Sequence, residues 1–423
     1  MKQTERMTLF MYLKRRKALA ASLPDNCIAL VFSDIAPYKV GDEKYDFSVD
    51  RNFYYLTGLD KENMILAIVK VNGKQQDYLF IDRYDEELAK WVGGRISPQA
   101  AAKTSQCRAI YWQDEVWEVL GSYFSRSFTF LDQVLVFADL NRQEVAQQDR
   151  ASHRFTKQLQ AYYPQASLRD LYPYMASLRL VKDEDELSKL QTALSITKEA
   201  IENMMTHAQA NMYEYELEAY FDFVLKSNNC HHSFPSIIAG GKNATILHYQ
   251  ENENKIKDRS LVLCDLGAAY KYMNADITRT FPINGVFTKR QRQIYDIVLR
   301  ANKYIISLVK PGVTLRELNN KVMAFYQQEL STIGLLKHGY SVNDYYWHGV
   351  SHMLGLETHD ICLPDYPVQE GNVFTVEPGL YLEEEGIGIR IEDNVLVTKD
   401  GCDVLSKDII KEIDEIEAFM AKK

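Results

Sequence analysis

The sequence predicts a two-domain α+β protein, with an α/β domain containing a mixed sheet over residues 1–171 and a second domain over 172–423. Three observations carry this. At 423 residues the chain is long enough for two substantial cores. Short β-rich runs alternate with helical or loop segments through the first part. Around Tyr172-Pro173 the pattern changes to long amphipathic helices, with strand-favouring segments between them that carry Asp, Glu and His.

In chain order, the apolar run Met7–Leu13 is followed by Lys14-Arg15-Arg16 where a signal peptide would need small residues. The stretch from Met1 to Leu13 is therefore expected to open an amphipathic helix. Strands are expected at Cys27–Phe32, Phe53–Leu56, Met64–Val71, Tyr78–Ile81, Ala109–Tyr111 and Val134–Phe137. Asn72-Gly73 supplies the left-handed turn that pairs the third run with the fourth as a hairpin. Trp91 and Arg95 flank Gly93-Gly94, which reads either as a surface loop or as a flap reaching a neighbour's active site.

In the second domain, Asp183-Glu184-Asp185-Glu186 places acids at a helix N-terminus, where the macrodipole favours them. Leu187, Leu190, Leu194, Ile201 and Met204 then recur at helical spacing. Thr288 and Gln291 form a capping box for a helix running through Ile294, Ile297, Val298, Ala301, Ile305 and Leu308, stopped by Pro311-Gly312. A last helix is expected from about Lys407, with Ile409, Ile413, Ile416 and Met420 on one face.

Composition narrows the function classes. An apolar fraction of 46% with 25% charged residues is ordinary for a globular protein. A net charge of -9 argues against nucleic acid or anionic membrane as partner. No run approaches the roughly 20 apolar residues of a membrane span. Six scattered cysteines without a CxxC pair suit reduced thiols in the cytoplasm.

The chemistry lies between the helices. Asp265 and Asp276 stand eleven positions apart in strand-favouring runs, separated by Gly-Ala-Ala-Tyr-Lys-Tyr. Folded as an antiparallel hairpin, their carboxylates face one another, and two buried carboxylates so close demand either a shared proton or a cation. His248 lies in the strand-like run Ile246–Tyr249. His348, His352 and His359 place three of nine histidines within twelve residues, a density that packing does not explain. His348 and His352 have helical spacing, but Gly349 and Gly355 argue against a long helix, so the two need not share a metal. Glu377 sits on a strand ending at Pro378-Gly379, and Arg390 and Glu392 alternate onto one face of a second strand after the Gly386-Ile387-Gly388 turn. Four carboxylates and one imidazole form a hard, oxygen-rich set that suits Mn²⁺, Co²⁺ or Zn²⁺. Their charge calls for about two divalent ions, and a metal pair ionising a bridging water is hydrolase chemistry.

The ordered residues Asp265, Asp276, His352, Glu377 and Glu392 stand in the contexts Asp-Leu-Gly, Asp-Ile-Thr-Arg-Thr-Phe, His-Gly-Val-Ser-His-Met-Leu-Gly, Thr-Val-Glu-Pro-Gly and Arg-Ile-Glu-Asp. This set resembles the pita-bread metallopeptidases, which include methionine aminopeptidase, prolidase and aminopeptidase P. Asn52-Phe53-Tyr54-Tyr55-Leu56-Thr57-Gly58 is similar to the N-terminal domain of bacterial aminopeptidase P, so the resemblance spans nearly the whole chain.

The resemblance implies a C-terminal pita-bread catalytic domain and two divalent ions, Mn²⁺ before Co²⁺ or Zn²⁺. In it Asp276 and Glu392 bridge the ions, Asp265 completes one site, and His352 and Glu377 complete the other. It further implies attack of a metal-bridging hydroxide on the Xaa-Pro bond of proline-containing peptides, with Glu377 moving the proton. His359 polarises the scissile carbonyl, His248 and His348 line the proline pocket, and Arg390 helps hold the substrate. Trp91 and Arg95 then belong to a loop offered across a subunit interface of a homodimer or homotetramer. The alternatives are a prolidase acting on Xaa-Pro dipeptides and a non-catalytic peptide-binding protein on the same fold. The intact five ligands argue against the last.

Overall fold

The structure, a computed structural model, describes residues 11–125, 134–337 and 339–422. It divides into two compact units, Met1–Leu178 and Arg179–Lys423.

The N-terminal unit is built on a six-stranded sheet. Its order is Ala109–Trp112, Lys74–Ile81, Ile65–Val71, Cys27–Phe32, Leu135–Ala138, Ser167–Asp170. The central pairings are antiparallel and the outer ones parallel, so the sheet is mixed. Asn72 and Gly73, at φ 50° and 71°, make the expected tight turn, with Val71 paired to Lys74. Ile28, Leu30, Ala67, Phe80 and Val136 form the heart of the core on one sheet face.

Phe53–Leu56 is a helix, Arg51–Thr57, and not a strand. The Asp50 carboxylate accepts from the amides of Asn52 and Phe53, and Gly58 closes the other end at φ 66°. These caps override the β preference of an aromatic run. Of the stretch expected to open the first helix, residues 1–10 lie outside the described residues; the helix spans Met11–Ser22. Arg16 within it is fully buried and donates to the carbonyls of Leu56 and Ser105.

The C-terminal unit places helices around short sheets. Glu184–His207 carries the Asp183/Glu186 capping box and Lys289–Leu308 the Thr288/Gln291 box. Two further helices, Glu214–Ser227 and Leu315–Thr332, were not anticipated. The last helix begins at Ile413, later than expected. The carbonyls of Ile409 and Ile410 accept from the Arg279 guanidinium and that of Lys411 from the Tyr295 hydroxyl, so they are not free to start a helical ladder. Ile246–Tyr249 is likewise a turn following a 3₁₀ segment, Gly241–Thr245, and not a strand.

Both hairpins form, each with a break in its ladder. In the first, Leu261–Leu266 pairs with Ile277–Pro282, and beyond a gap Ala268–Tyr270 pairs with Met273–Asn274. The turn falls at Lys271-Tyr272, both at positive φ, at the end of the Gly-Ala-Ala-Tyr-Lys-Tyr segment. Gly267 serves a different purpose: a Cβ there would lie 1.9 Å from the Ala275 carbonyl oxygen. In the second, Val373–Val376 pairs with Asp393–Val397, and Gly379–Leu382 with Ile387–Arg390. Its turn is Glu383–Gly386, with Gly386 left-handed, so Gly388 lies in the strand and not in the turn. Glu377 and Glu392 fall in the gap between its two ladders, as Asp276 does in the first.

Candidate metal centre

The gaps decide where the carboxylates point. Freed from ladder pairing, Glu377 hangs from the Val350 carbonyl through its amide, and Glu392 from the Thr278 carbonyl. Asn394 clasps the Asp276 backbone from both sides, accepting from its N–H at 3.3 Å and donating to its C=O at 2.6 Å. The two hairpins are thus joined by hydrogen bonds that bring their acids together.

His352 comes from a non-helical segment lying against Val373–Val376. Its amide donates to Thr375 Oγ1, its carbonyl accepts from the Thr375 amide, and Met353 bridges to Phe374. Backbone groups committed to a strand cannot form a helix, so the helical spacing of His348 and His352 has no structural meaning. His352 Nδ1 faces the Met353 carbonyl at 3.1 Å, which leaves Nε2 for a ligand. Nε2 lies 3.3 Å from Asp276 Oδ2 and 3.3 Å from Glu377 Oε1. Ligand atoms of Asp276, His352 and Glu392 all lie within 4.8 Å of one another.

The donor set fits divalent cations. Asp265 Oδ1 and Glu392 Oε1 are buried without a hydrogen-bond partner, a costly state for carboxylate oxygens unless a cation meets them. Burial, aggravated by neighbouring carboxylates, raises Asp276 to about 6 and Glu377 to about 7, and lifts Glu392 well above the carboxylate range. Burial pulls His352 down, but the hydrogen bond to Asp276 and the charge of Glu377 outweigh it and hold the ring at about 9. The buried carboxylates outnumber the cationic groups beside them, and their raised proton affinity marks a deficit of positive charge that divalent ions would fill.

Arg390 is buried and fully engaged. Its Nη2 donates to Asp265 Oδ2 at 2.5 Å, Nη1 to Tyr381 Oη at 2.9 Å and Nε to Thr278 Oγ1 at 3.0 Å. Thr278 in turn donates to Glu392 Oε2 at 2.8 Å. Tyr381 is a site residue that sequence reasoning missed. Burial pushes its hydroxyl up to about 12, so it remains a donor to His348 Nε2 at 2.8 Å. Burial keeps His348 neutral, at about 3. Tyr381's strand position two residues after Gly379, facing Arg390's strand, was the available signal.

A cavity of about 670 Å³ opens onto this cluster. All five expected ligands line it, as do His248, His348, His359 and Arg390. The His359 ring stands edge-on to His352 at 4.3 Å between centroids. Trp91 and Arg95 belong to the N-terminal unit. Trp91 is 87% exposed near the end of the helix Glu86–Val92, and Arg95 pairs with Asp82 at 3.5 Å.

Comparison with known proteins agrees with this geometry. Residues 188–399 match metallopeptidase family M24, and residues 12–130 match the N-terminal domain of aminopeptidase P. The chain is 33% identical to an Xaa-Pro aminopeptidase of Haemophilus influenzae, over 96% of each chain. A solved structure from Bacillus anthracis assigned to aminopeptidase P superposes with a TM-score of 0.94 at 41% identity, covering 98% of both chains. Aminopeptidase P from Escherichia coli, solved with the inhibitor Pro-Leu, gives 0.87 at 30% identity, over 97% of this chain and 98% of that one. The α+β pita-bread architecture preceded by a mixed-sheet α/β domain holds for the whole chain. With its carboxylate-rich centre, its matched catalytic region and relatives that align from end to end, the chain belongs to metallopeptidase family M24.

Proposed function

We propose that this hydrolase is an Xaa-Pro aminopeptidase, releasing the N-terminal residue that precedes proline from Xaa-Pro-Yaa peptides. The observation that carries the reading is the convergence of Asp276, His352 and Glu392 at the floor of a cavity whose other acids, Asp265 and Glu377, complete the ligand set. Asp265, Asp276, His352, Glu377 and Glu392 would hold two divalent ions, Mn²⁺ before Co²⁺ or Zn²⁺. When bound, such a pair supplies a water ionised near neutral pH and Lewis-acid polarisation of the scissile carbonyl.

The chain's own residues do the rest. Glu377 stands at the cavity floor with Thr375 Oγ1 donating to its Oε1 at 3.2 Å, placed to accept a proton and return it to the proline nitrogen. His359 is positioned to donate to the developing oxyanion. His348, locked by Tyr381 and kept neutral, forms with His248 the wall against which the proline ring packs. Arg390 acts by fixing Asp265 through its guanidinium rather than by gripping substrate. The exposed Trp91 and its neighbour Arg95 support a homodimer or homotetramer in which this loop meets another subunit, and six free thiols support the cytoplasm.

The test is incubation of the Mn²⁺-supplemented protein with an Xaa-Pro-Yaa tripeptide and with an Xaa-Pro dipeptide, with and without chelator. Chelator-sensitive release of the first residue from the tripeptide is expected. Cleavage of the dipeptide alone would overturn the aminopeptidase reading in favour of prolidase.

A further inference from the structure

One buried carboxylate lies outside the metal centre and has no cationic partner among the described residues. Glu214, at the start of the helix Glu214–Ser227, is fully buried. Its Oε1 accepts from the Gly240 amide at 2.8 Å and from Asn243 Nδ2 at 2.8 Å. Its Oε2 accepts from the Tyr249 hydroxyl at 2.7 Å and from the Asn254 amide at 2.8 Å. One oxygen thus holds the entry to the loop between Gly240 and Asn254, and the other holds its exit. Four donors saturate the lone pairs that a carboxylate offers, and each such bond to a charged acceptor is stronger than a neutral one.

This loop carries Leu247, His248 and Gln250 into the wall of the cavity. The His248 ring is exposed and makes no hydrogen bond among the described residues, so its backbone fixes its place. That backbone is a turn without ladder pairing, and Tyr249, the next residue, is tied to Glu214. A bulge of the same loop rests against the second hairpin, where a Cβ on Gly388 would meet the Ala244 carbonyl at 2.0 Å.

We propose that Glu214 is a positioning residue for the substrate wall: a carboxylate clasp that sets the location of His248. The inference rests on the reading of His248 as a group that contacts substrate. Gln at 214 has the same size but presents an NH₂ to two donors, opening one side of the clasp. Asp is one methylene too short to reach both ends of the loop.

The experiment compares Glu214→Gln, His248→Ala and the double variant in the Mn²⁺-loaded enzyme. It reads kcat and KM on an Xaa-Pro-Yaa tripeptide, bound metal per chain, and hydrogen exchange of the 241–250 segment. A misplaced substrate group costs on the order of 10²-fold. Glu214→Gln is therefore expected to lower kcat/KM roughly 10- to 100-fold, with metal content unchanged and faster exchange in 241–250 but not in Leu261–Leu266. In the His248→Ala background the same substitution should cost less than about threefold, because the residue it positions is gone. Multiplicative losses in the double variant, or parallel loss of metal, would overturn the clasp in favour of a general structural role. Normal kinetics in His248→Ala would instead overturn the reading of His248, and with it the catalytic consequence of the clasp. If Glu214→Gln does not fold, Tyr249→Phe removes a single donor and should reproduce the exchange and kinetic pattern in weaker form; an unchanged Tyr249→Phe would then count against the proposal.

Discussion

In the proposed mechanism Glu377 combines two demands on one side chain, a place in the metal-ligand set beside His352, 3.3 Å away, and proton traffic toward substrate. Glu377→Gln keeps its shape and its backbone bond to Val350 but removes the charge and the basic oxygen. Activity is expected to fall by roughly 10³-fold or more, with the circular dichroism spectrum unchanged; retention of full activity would remove Glu377 from the mechanism. Asp360 tests a different balance. It is buried between Arg179 and Lys182, whose Nζ donates to Oδ2 at 2.9 Å. Burial alone would raise its carboxyl, but the two cations outweigh it and hold it below the ordinary 3.8. A folded-state value below the unfolded one means that the stabilisation is complete above about pH 4 and is lost as the pH falls through the folded value. Asp360→Asn should therefore cost about 3–5 kcal/mol at neutral pH by removing the buried carboxylate shared by two buried cations, and should flatten the acid limb of the stability curve measured by urea titration. The candidate ligand carboxylates could be singled out in the sequence because four acids and a histidine stand in order, each in its own family-like context, and the structure brings them to one cavity. Tyr381, Thr278, Thr375 and Asn394 were not legible, because a hydroxyl or amide that orients a ligand looks like any other until its partner is placed.

At the scale of elements, the sites that fold most predictably are those whose ends carry their own signals. The Thr288/Gln291 and Asp183/Glu186 boxes mark helix starts through bonds between residues three apart, and both were readable for that reason. The Thr314/Glu317 box of Leu315–Thr332 has the same form and was open to the same reading. By contrast Phe53–Leu56 and the region after Lys407 depart from the expected elements because a cap or side chains distant in sequence claim their backbone groups, and Ile246–Tyr249 departs because the Ile246 amide closes a local turn onto Asn243. The hairpins illustrate both halves of this. Their existence followed from strand propensity and both turns fall in the segments between the expected strands, but Gly388, expected in the second turn, is required like Gly267 by close approach to a carbonyl. Gly267→Ala must push apart the strand bearing Asp265 and the residue preceding Asp276. It is expected to destabilise the protein by about 1–3 kcal/mol, the usual cost of overpacking, and to weaken metal binding in a competition titration. Wild-type metal affinity would show that the gap between the two ladders does not set the ligand geometry.

For the whole molecule, the consequence of a metal centre confined to one unit is an unequal response to metal. The five candidate ligands and the other described residues lining the cavity all belong to Arg179–Lys423. Without cations, folding the C-terminal unit must bury several carboxylates at the cost seen in their raised proton affinity. Cations that bind the folded unit and not the unfolded chain stabilise it by mass action, about 2.7 kcal/mol per site at a hundredfold excess over Kd. For a unit of this size each kcal/mol moves the midpoint by roughly 2–4 °C. Two occupied sites should therefore raise its melting temperature by roughly 10–20 °C. Calorimetry of the chelated and Mn²⁺-loaded forms is expected to show the transition of the C-terminal unit moving upward. A transition assigned to the N-terminal unit by limited proteolysis should stay in place. If both moved together by the same amount, the two units would unfold as one cooperative body, and the stabilisation would be shared rather than local. If neither moved, the carboxylate cluster would not be a site of tight metal binding, and the hydrolytic mechanism built on it would fail.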